Sequence, residues 1–257
     1  MRQRKIIPGV DPKLLIRDAA KLMPEASRRG FLRGAASLGA LAFLTGCDII
    51  DGDTAEGVLR KVSDFNDGVQ AAIFSQTKLA PTYPESAITR PFPFNAYYDE
   101  DDAPEVDREG YKFEVAGLVD NKKPWTLNEL YALPEVSQIT RHVCVEGWSA
   151  IGSWQGTTLS EFLKRVGADT RAKYVWFKCA EGYTNTIDMP TALHPQTQMT
   201  FKFANQVLPR AYGFPMKIRI PTKLGFKNPK YVVAMEVTNT DKGGYWEDKG
   251  YNWFSGL

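Results

Sequence analysis

Histidine and cysteine are scarce in this 257-residue chain: His142 and His194, then Cys47, Cys144 and Cys179. Two histidines are too few for a His-rich zinc centre, and an internal bis-histidine haem would consume both. No Cys-x-x-Cys-His run is present for covalent haem attachment. No Gly-x-Gly-x-x-Gly fingerprint points to a flavin or a nicotinamide. An excess of charge of one sign is missing too, since 32 basic and 30 acidic side chains leave +2. Composition therefore gives no argument for nucleic acid or a strongly acidic partner. Nor is there an apolar run of the ~20 residues that a membrane-spanning helix needs. The best run, residues 35–44, is interrupted by Gly39.

What is present is 43% hydrophobic residues, enough to build a core for one large domain or two small ones. Residues 27–47 read SRRGFLRGAASLGALAFLTGC. A positive region before a short apolar run is the pattern of an export signal. Arg28-Arg29 resembles a twin-arginine signal, the route for proteins exported already folded. Leu44-Thr45-Gly46-Cys47 looks like a bacterial lipobox, which would make Cys47 the lipidated first residue of the mature chain. Asp48 behind it matches retention at the inner membrane of the periplasm. An ordinary signal with an incidental cysteine and a cytoplasmic amphipathic start are the alternatives. Residues 1–25 have apolar spacing of their own at Leu14, Leu15, Ala19 and Leu22, with no assigned function.

The expected organisation is an export signal over 1–46, a tether and amphipathic helix over 47–80, and one catalytic-size domain over 81–257. Helical spacing runs from Ala55 to Phe74. Residues 81–104 are rich in proline and aromatics, so they form no regular element; a loop of that length wraps the fold or builds a site. Beyond it, YKFEVAGLV (111–119), YVWFKCA (174–180), KIRIP (217–221) and YVVAMEVTN (231–239) read as strands. Thr126 to Glu129 and Thr158 to Glu161 are capping boxes that open short helices, the second stopping at Gly167. Strands and short helices without regular βαβ alternation predict an α+β fold with mixed sheets in a single domain.

With Cys47 lipidated, Cys144 and Cys179 remain. They can pair in an oxidising compartment or stay buried as free thiols. Cys144 can also be a nucleophile, with His142 two residues away on the same strand face. Its neighbours, Glu146-Gly147-Trp148 and Trp154-Gln155-Gly156, suit the docking of a bulky planar cofactor. A thiolate there suits a soft or high-valent transition metal. One protein ligand holds a metal poorly, so the cofactor would be anchored elsewhere. Residues 217–230, KIRIPTKLGFKNPK, offer that anchor. Lys217, Lys223, Lys227 and Lys230 around Gly225 are suited to a phosphate; a solvated basic loop is the other reading.

As a set, Asn95 with Tyr98 and Asp99, RHVCVEGWS (141–149), His194-Pro195, and AYGFPMKIRIPTKLGFKNPK (211–230) resemble the molybdopterin-dependent oxidoreductases of the sulfite oxidase fold. The closest branch is that of the periplasmic catalytic subunits of molybdenum-dependent protein-methionine-sulfoxide reductases. The resemblance covers roughly residues 80–239. It implies a molybdenum-molybdopterin cofactor with Cys144 as the protein's metal ligand. It implies pterin contacts from Asn95, Tyr98 and Asp99, and a phosphate turn at Asn228, Pro229 and Lys230, where Asn replaces the family's Gly. Cys179 stands where the family has Thr, Tyr212 where the branch has Asn, and Lys217 where it has Arg. The Lys keeps the charge and loses the bidentate fork.

With no internal haem or flavin expected, the resemblance implies electrons from a membrane haem subunit drawing on quinols. The aromatics Trp148, Trp154, Tyr212, Tyr97 and Tyr98 favour reduction of an S-oxide or N-oxide, such as methionine sulfoxide. Sulfite oxidation is the alternative and would need a cationic pocket from Arg141 and Arg210. A cofactor-free envelope lipoprotein of the same fold, acting as a binding or assembly subunit, is the other. Only about 18 residues follow the last strand, where full-length sulfite oxidases carry a dimerisation domain, so a monomer is expected.

Overall fold

A computed structural model of the chain describes residues 52–257. The expected export signal, the lipobox with Cys47 and the spacing within 1–25 lie outside the described residues. The chain divides into two units, Met1–Leu59 and Arg60–Leu257. Of the first, only the opening of helix α1 (Gly52–Ile73) is described. The helix forms where the spacing predicts it, but its apolar stripe is not a core face. Val62, Phe65, Val69 and Ile73 are exposed. The opposite, polar face makes the contacts. Asp67 accepts from the backbone of Trp253 and Phe254 at 3.0 and 2.6 Å, and Gln70 from Gly256 at 2.8 Å.

Two five-stranded sheets make up the second unit. The first has the order β2–β1–β10–β5–β6 and draws on β1 (Lys112–Gly117), β2 (Trp125–Thr126), β5 (Tyr174–Cys179), β6 (Thr184–Asp188) and β10 (Val232–Thr238). Its β1–β10 pair is parallel and its other pairs are antiparallel. The second runs β3–β4–β7–β8, with β9 on β7. It contains β3 (Val136–Val143), β4 (Ser149–Thr158), β7 (Gln198–Phe203), β8 (Gln206–Val207) and β9 (Lys217–Arg219). The fold is the expected α+β one.

Three short helices complete it: α2 (Leu127–Tyr131), α3 (Leu159–Arg165) and α4 (Met189–Ala192). Thr126 and Glu129 form a full capping box. At α3 only half of the box forms: Thr158 accepts from the Glu161 N–H, while the Glu161 carboxylate pairs with Arg165 four residues on. The proline-rich loop carries two 3₁₀ turns and lies along the second sheet. Tyr83 donates to Ile139, and Thr89 to Ile151, through backbone bonds of 3.0 and 2.9 Å.

The main core gathers Phe113, Phe162, Leu163, Val175, Phe177, Met235 and Val237. A smaller one joins Phe92, Ala150, Trp154 and Leu208, with Tyr212 and Phe203 against it. Gly156 sits in β4 where the register against β7 shifts. A Cβ there would lie 1.9 Å from the Met199 carbonyl oxygen, which is backbone and cannot swing away. Gly156→Ala is therefore expected to cost at least the upper part of the about 1–3 kcal/mol typical of overpacked sites. A lower urea midpoint checks this, and an unchanged midpoint refutes it.

Candidate molybdopterin site

Strand β3 alternates, so Thr140 and His142 point inward and Arg141 outward, its guanidinium 5.3 Å over the Tyr83 ring. The same alternation puts Cys144 on the inner side, just past the strand's end. Cys144 opens the turn into β4: its N–H donates to Trp148 O at 2.9 Å, and Gly147 N–H returns to Cys144 O at 3.2 Å. Gly147 holds φ +91° there, a conformation that favours glycine. The hairpin tip thus fixes the thiol at the wall of a cavity of about 140 Å³. Its Sγ lies 3.8 Å from Glu146 Oε2, which also receives the Trp148 indole N–H at 3.0 Å. Burial pushes the thiol pKa up, and the Glu146 carboxylate adds to this. A cation beside the sulfur would act the other way. Cys144 and Cys179 are both free thiols, so the disulfide alternative falls.

Of the expected cofactor residues, Asn95, Tyr98, Asn228, Pro229 and Lys230 line the same cavity as Cys144. Four do not line it. Asp99 is exposed, with its carbonyl capping the next 3₁₀ turn. Cys179 is buried at the end of β5, and burial pushes its thiol well up. Tyr212 donates to Phe92 O at 2.7 Å within the smaller core. Lys217 is buried with its ammonium 5.1 Å over the Trp154 ring. Trp154 is itself core, fully buried beneath Phe92.

The basic segment is not a solvated loop: Lys217, Lys223, Lys227 and Lys230 are all buried. Lys223 lies 2.8 Å over the Phe254 ring. Lys227 is paired with Glu247. Lys230 is the member that reaches the cavity, donating to Ala211 O at 3.1 Å and lying 4.5 Å over the Phe94 ring. Burial brings its pKa down to about 8.

Behind the wall, His142 Nε2 accepts from the Asn95 amide at 3.1 Å. Burial and the charges of Lys217, Arg219 and Lys230 push its pKa well down, so the imidazole is neutral. Gly225 allows the basic turn to approach it, since a Cβ there would lie 2.6 Å from His142 Nε2.

Sequence reasoning missed two residues here. Arg219 is fully buried and donates to Asn228 Oδ1 at 2.8 Å and to Arg141 O at 2.5 Å. Asn228 Oδ1 also accepts from Ile220 N–H at 2.7 Å, so its side chain shapes the turn from behind. The alternation of KIRIP would place Arg219 outward with Lys217, but the strand is buried at every position, so no local signal marks it. The second is Glu181, a cavity residue between β5 and β6 whose Oε2 has no hydrogen-bond partner. Nothing local in the sequence marks it.

Residues 100–246 match the family described as "Oxidoreductase molybdopterin binding domain". The chain belongs to this family. It is 58% identical to YedZ1 of Azospira oryzae, proposed by its name as a protein-methionine-sulfoxide reductase subunit, over 93% of this chain and 92% of that one. It is 30% identical to the protein-methionine-sulfoxide reductase catalytic subunit MsrP of Ralstonia nicotianae over 53% of this chain, a match spanning only 46% of that relative. Among solved structures, the sulfane dehydrogenase SoxCD of Paracoccus pantotrophus superimposes with a TM-score of 0.51 at 17% identity. That likeness covers 54% of this chain and 40% of that one, and it shows the shared sulfite oxidase-like fold.

The cavity of this molybdopterin oxidoreductase fits the group its family binds. A pterin brings many polar edges, a dithiolene and a phosphate. The cavity offers a lone thiol, the buried cation Lys230, and polar groups on its wall: the Asn95 amide and the Tyr98 hydroxyl. The Tyr98 hydroxyl interacts with that of Tyr231 behind it through a side-chain hydrogen bond, and burial raises the pKa of both, that of Tyr231 to about 12.

Proposed function

We propose that the protein is an exported molybdenum enzyme that reduces an S-oxide or N-oxide, methionine sulfoxide first among them. It works as a monomer, with electrons from a membrane haem subunit and a lipid on Cys47 holding it at the inner membrane. The supporting observation is the charge of the cavity that contains Cys144. Two carboxyl groups, Glu146 and Glu181, stand on its wall. The Glu146 carboxylate repels a dianion such as sulfite, and a carboxyl group in either charge state tolerates a neutral oxide. Neither arginine that could have built an anion pocket does so. Arg141 lies over Tyr83, and Arg210 pairs with Glu105 at 2.8 Å and donates to Asp101 O. Tyr97 stacks on Tyr245 at 4.8 Å, and Trp246 lines the cavity, so the rim offers aromatic faces for a thioether-like substrate.

When bound, molybdenum-molybdopterin supplies the two-electron oxygen-atom chemistry. In this reading Cys144 ligates the metal. Asn95 and Tyr98 meet the pterin's edges, Lys230 neutralises the phosphate, and Arg219 with Asn228 holds the turn that presents Lys230. His142 keeps Asn95 in place and, being neutral, adds no charge. The cofactor must be inserted before export, which is why a folded-protein signal suits the chain. The names of the relatives support the choice of methionine sulfoxide, and the family resemblance supports the haem partner.

Natively exported protein should contain molybdenum near one equivalent and reduce methionine sulfoxide with a reduced viologen dye. It should oxidise sulfite far more slowly with ferricyanide as acceptor. Protein free of molybdenum overturns the cofactor assignment, and faster sulfite oxidation overturns the direction. Lipid labelling retained in Cys47→Ser overturns the anchor.

A further inference from the structure

Of the two cavity carboxyl groups, Glu146 is engaged by the Trp148 indole and the Cys144 thiol. Glu181 is held differently. It sits in the tight turn between β5 and β6, closed by Gly182 N–H to Cys179 O at 3.1 Å, with Gly182 at φ +85°. The turn places the carboxyl on the cavity wall, largely buried, with Oε2 unpartnered. The groups facing it are Lys230, Tyr97, Tyr98, Cys179, Tyr183 and Tyr231. Lys230 is the only cation among them, and its ammonium donates to Ala211 O. Burial raises the Glu181 pKa to about 7 against the opposing pull of Lys230. An anion on Lys230 would push it higher still.

We propose that Glu181 is a general acid that delivers a proton to the oxygen leaving the substrate. The role rests on the oxide-reductase reading above. Reducing a sulfoxide takes two electrons and two protons. The S–O bond breaks, sulfur is reduced to the thioether, and the oxygen leaves as water. The electrons come from the reduced dye or haem donor. Glu181 gives one proton, and solvent gives the other and then reprotonates Glu181. A buried carboxyl at the cavity wall suits this because a proton donor works best when its pKa lies near the working pH.

The test compares cofactor-loaded wild type, Glu181→Gln and Glu181→Asp, with reduced viologen and methionine sulfoxide across the pH range. Wild-type kcat/KM should fall as pH rises through neutrality, where the carboxyl loses its proton. Glu181→Gln should lower kcat/KM by about 100-fold and remove that break, while Glu181→Asp keeps it. Molybdenum and pterin content should be unchanged in Glu181→Gln. The infrared difference between wild type and Glu181→Gln should show a protonated-carboxyl band that titrates near neutral pH. Loss of cofactor from Glu181→Gln overturns the role and makes Glu181 a cofactor contact. A wild-type rate and profile in Glu181→Gln overturn it, as does a missing band. A wild type that turns over no oxide overturns the reductase reading and this role with it. An active wild type beside an equally active Glu181→Gln overturns the role alone.

Discussion

Cys144→Ala is expected to abolish oxide reduction and to yield exported protein without molybdenum. The backbone bonds that build the hairpin tip, Cys144 N–H to Trp148 O and Gly147 N–H to Cys144 O, do not use the side chain. The fold should therefore survive, with a melting temperature close to wild type. No group of three or more His, Cys, Asp or Glu side chains among the described residues is placed to hold a metal. In the proposed reading the Cys144 thiol is the ligand, and the Glu146 carboxylate beside it, 3.8 Å from Sγ, is a harder donor that replaces a thiolate poorly. Changes merely behind a metal ligand already cost about 10–100-fold in affinity or activity, so loss of the ligand itself should cost more. Metal content, the paramagnetic molybdenum signal and dye-coupled kcat/KM check this together. A variant that keeps metal and signal refutes the ligand assignment.

Glu247→Ala is expected to be the most damaging change to stability. Glu247 and Lys227 are a buried pair, with side chains 5% and 1% exposed. Glu247 also accepts from the Asn185 amide at 3.1 Å, and Lys227 donates to Thr186 O at 2.8 Å. Removing the carboxylate leaves a buried ammonium without its counter-charge, which costs about 3–5 kcal/mol. Burial already lowers the Lys227 pKa, while Glu247 holds it up. Without Glu247 the folded state gives up the Lys227 proton more readily, whereas the unfolded chain keeps it at an ordinary lysine pKa. The unfolded state then binds more protons, so the stability of the variant rises with pH. Its deficit against wild type should be smaller at pH 9 than at pH 7 in urea titrations. Glu247 directly follows Trp246 of the cavity wall, so cofactor content should fall as well. A wild-type midpoint at both pH values refutes this.

Local patterns in the sequence carry the strands, the Thr126 cap, the helix over 55–74 and the loop wrapped by its prolines, because each depends on neighbours a few residues away. The order of short motifs carries the family, and with it Cys144 at a strand end before a Gly-containing turn. What local patterns cannot carry is which of two faces is turned inward and against what. The stripe of α1 has the spacing of a core helix, yet its polar face makes the contacts, because Asp67 and Gln70 satisfy the backbone of residues 253–256. Trp154 and Tyr212 have the composition of a pocket and lie in a core. Four lysines that the sequence groups as one phosphate anchor or one solvated loop are all buried, and of them Lys230 lines the cavity. His142, not its neighbour Arg141, turns inward behind the cavity wall, as decided by the pairing of β3 with β4 and the Arg219 bond to Arg141 O. Glu181 and Lys230 are 49 positions apart and act on each other only because the β5–β6 turn and the Asn228 turn meet at one cavity. Side-chain charge is written in the sequence, but its burial and its partners depend on long-range pairing, and those set the chemistry of this site.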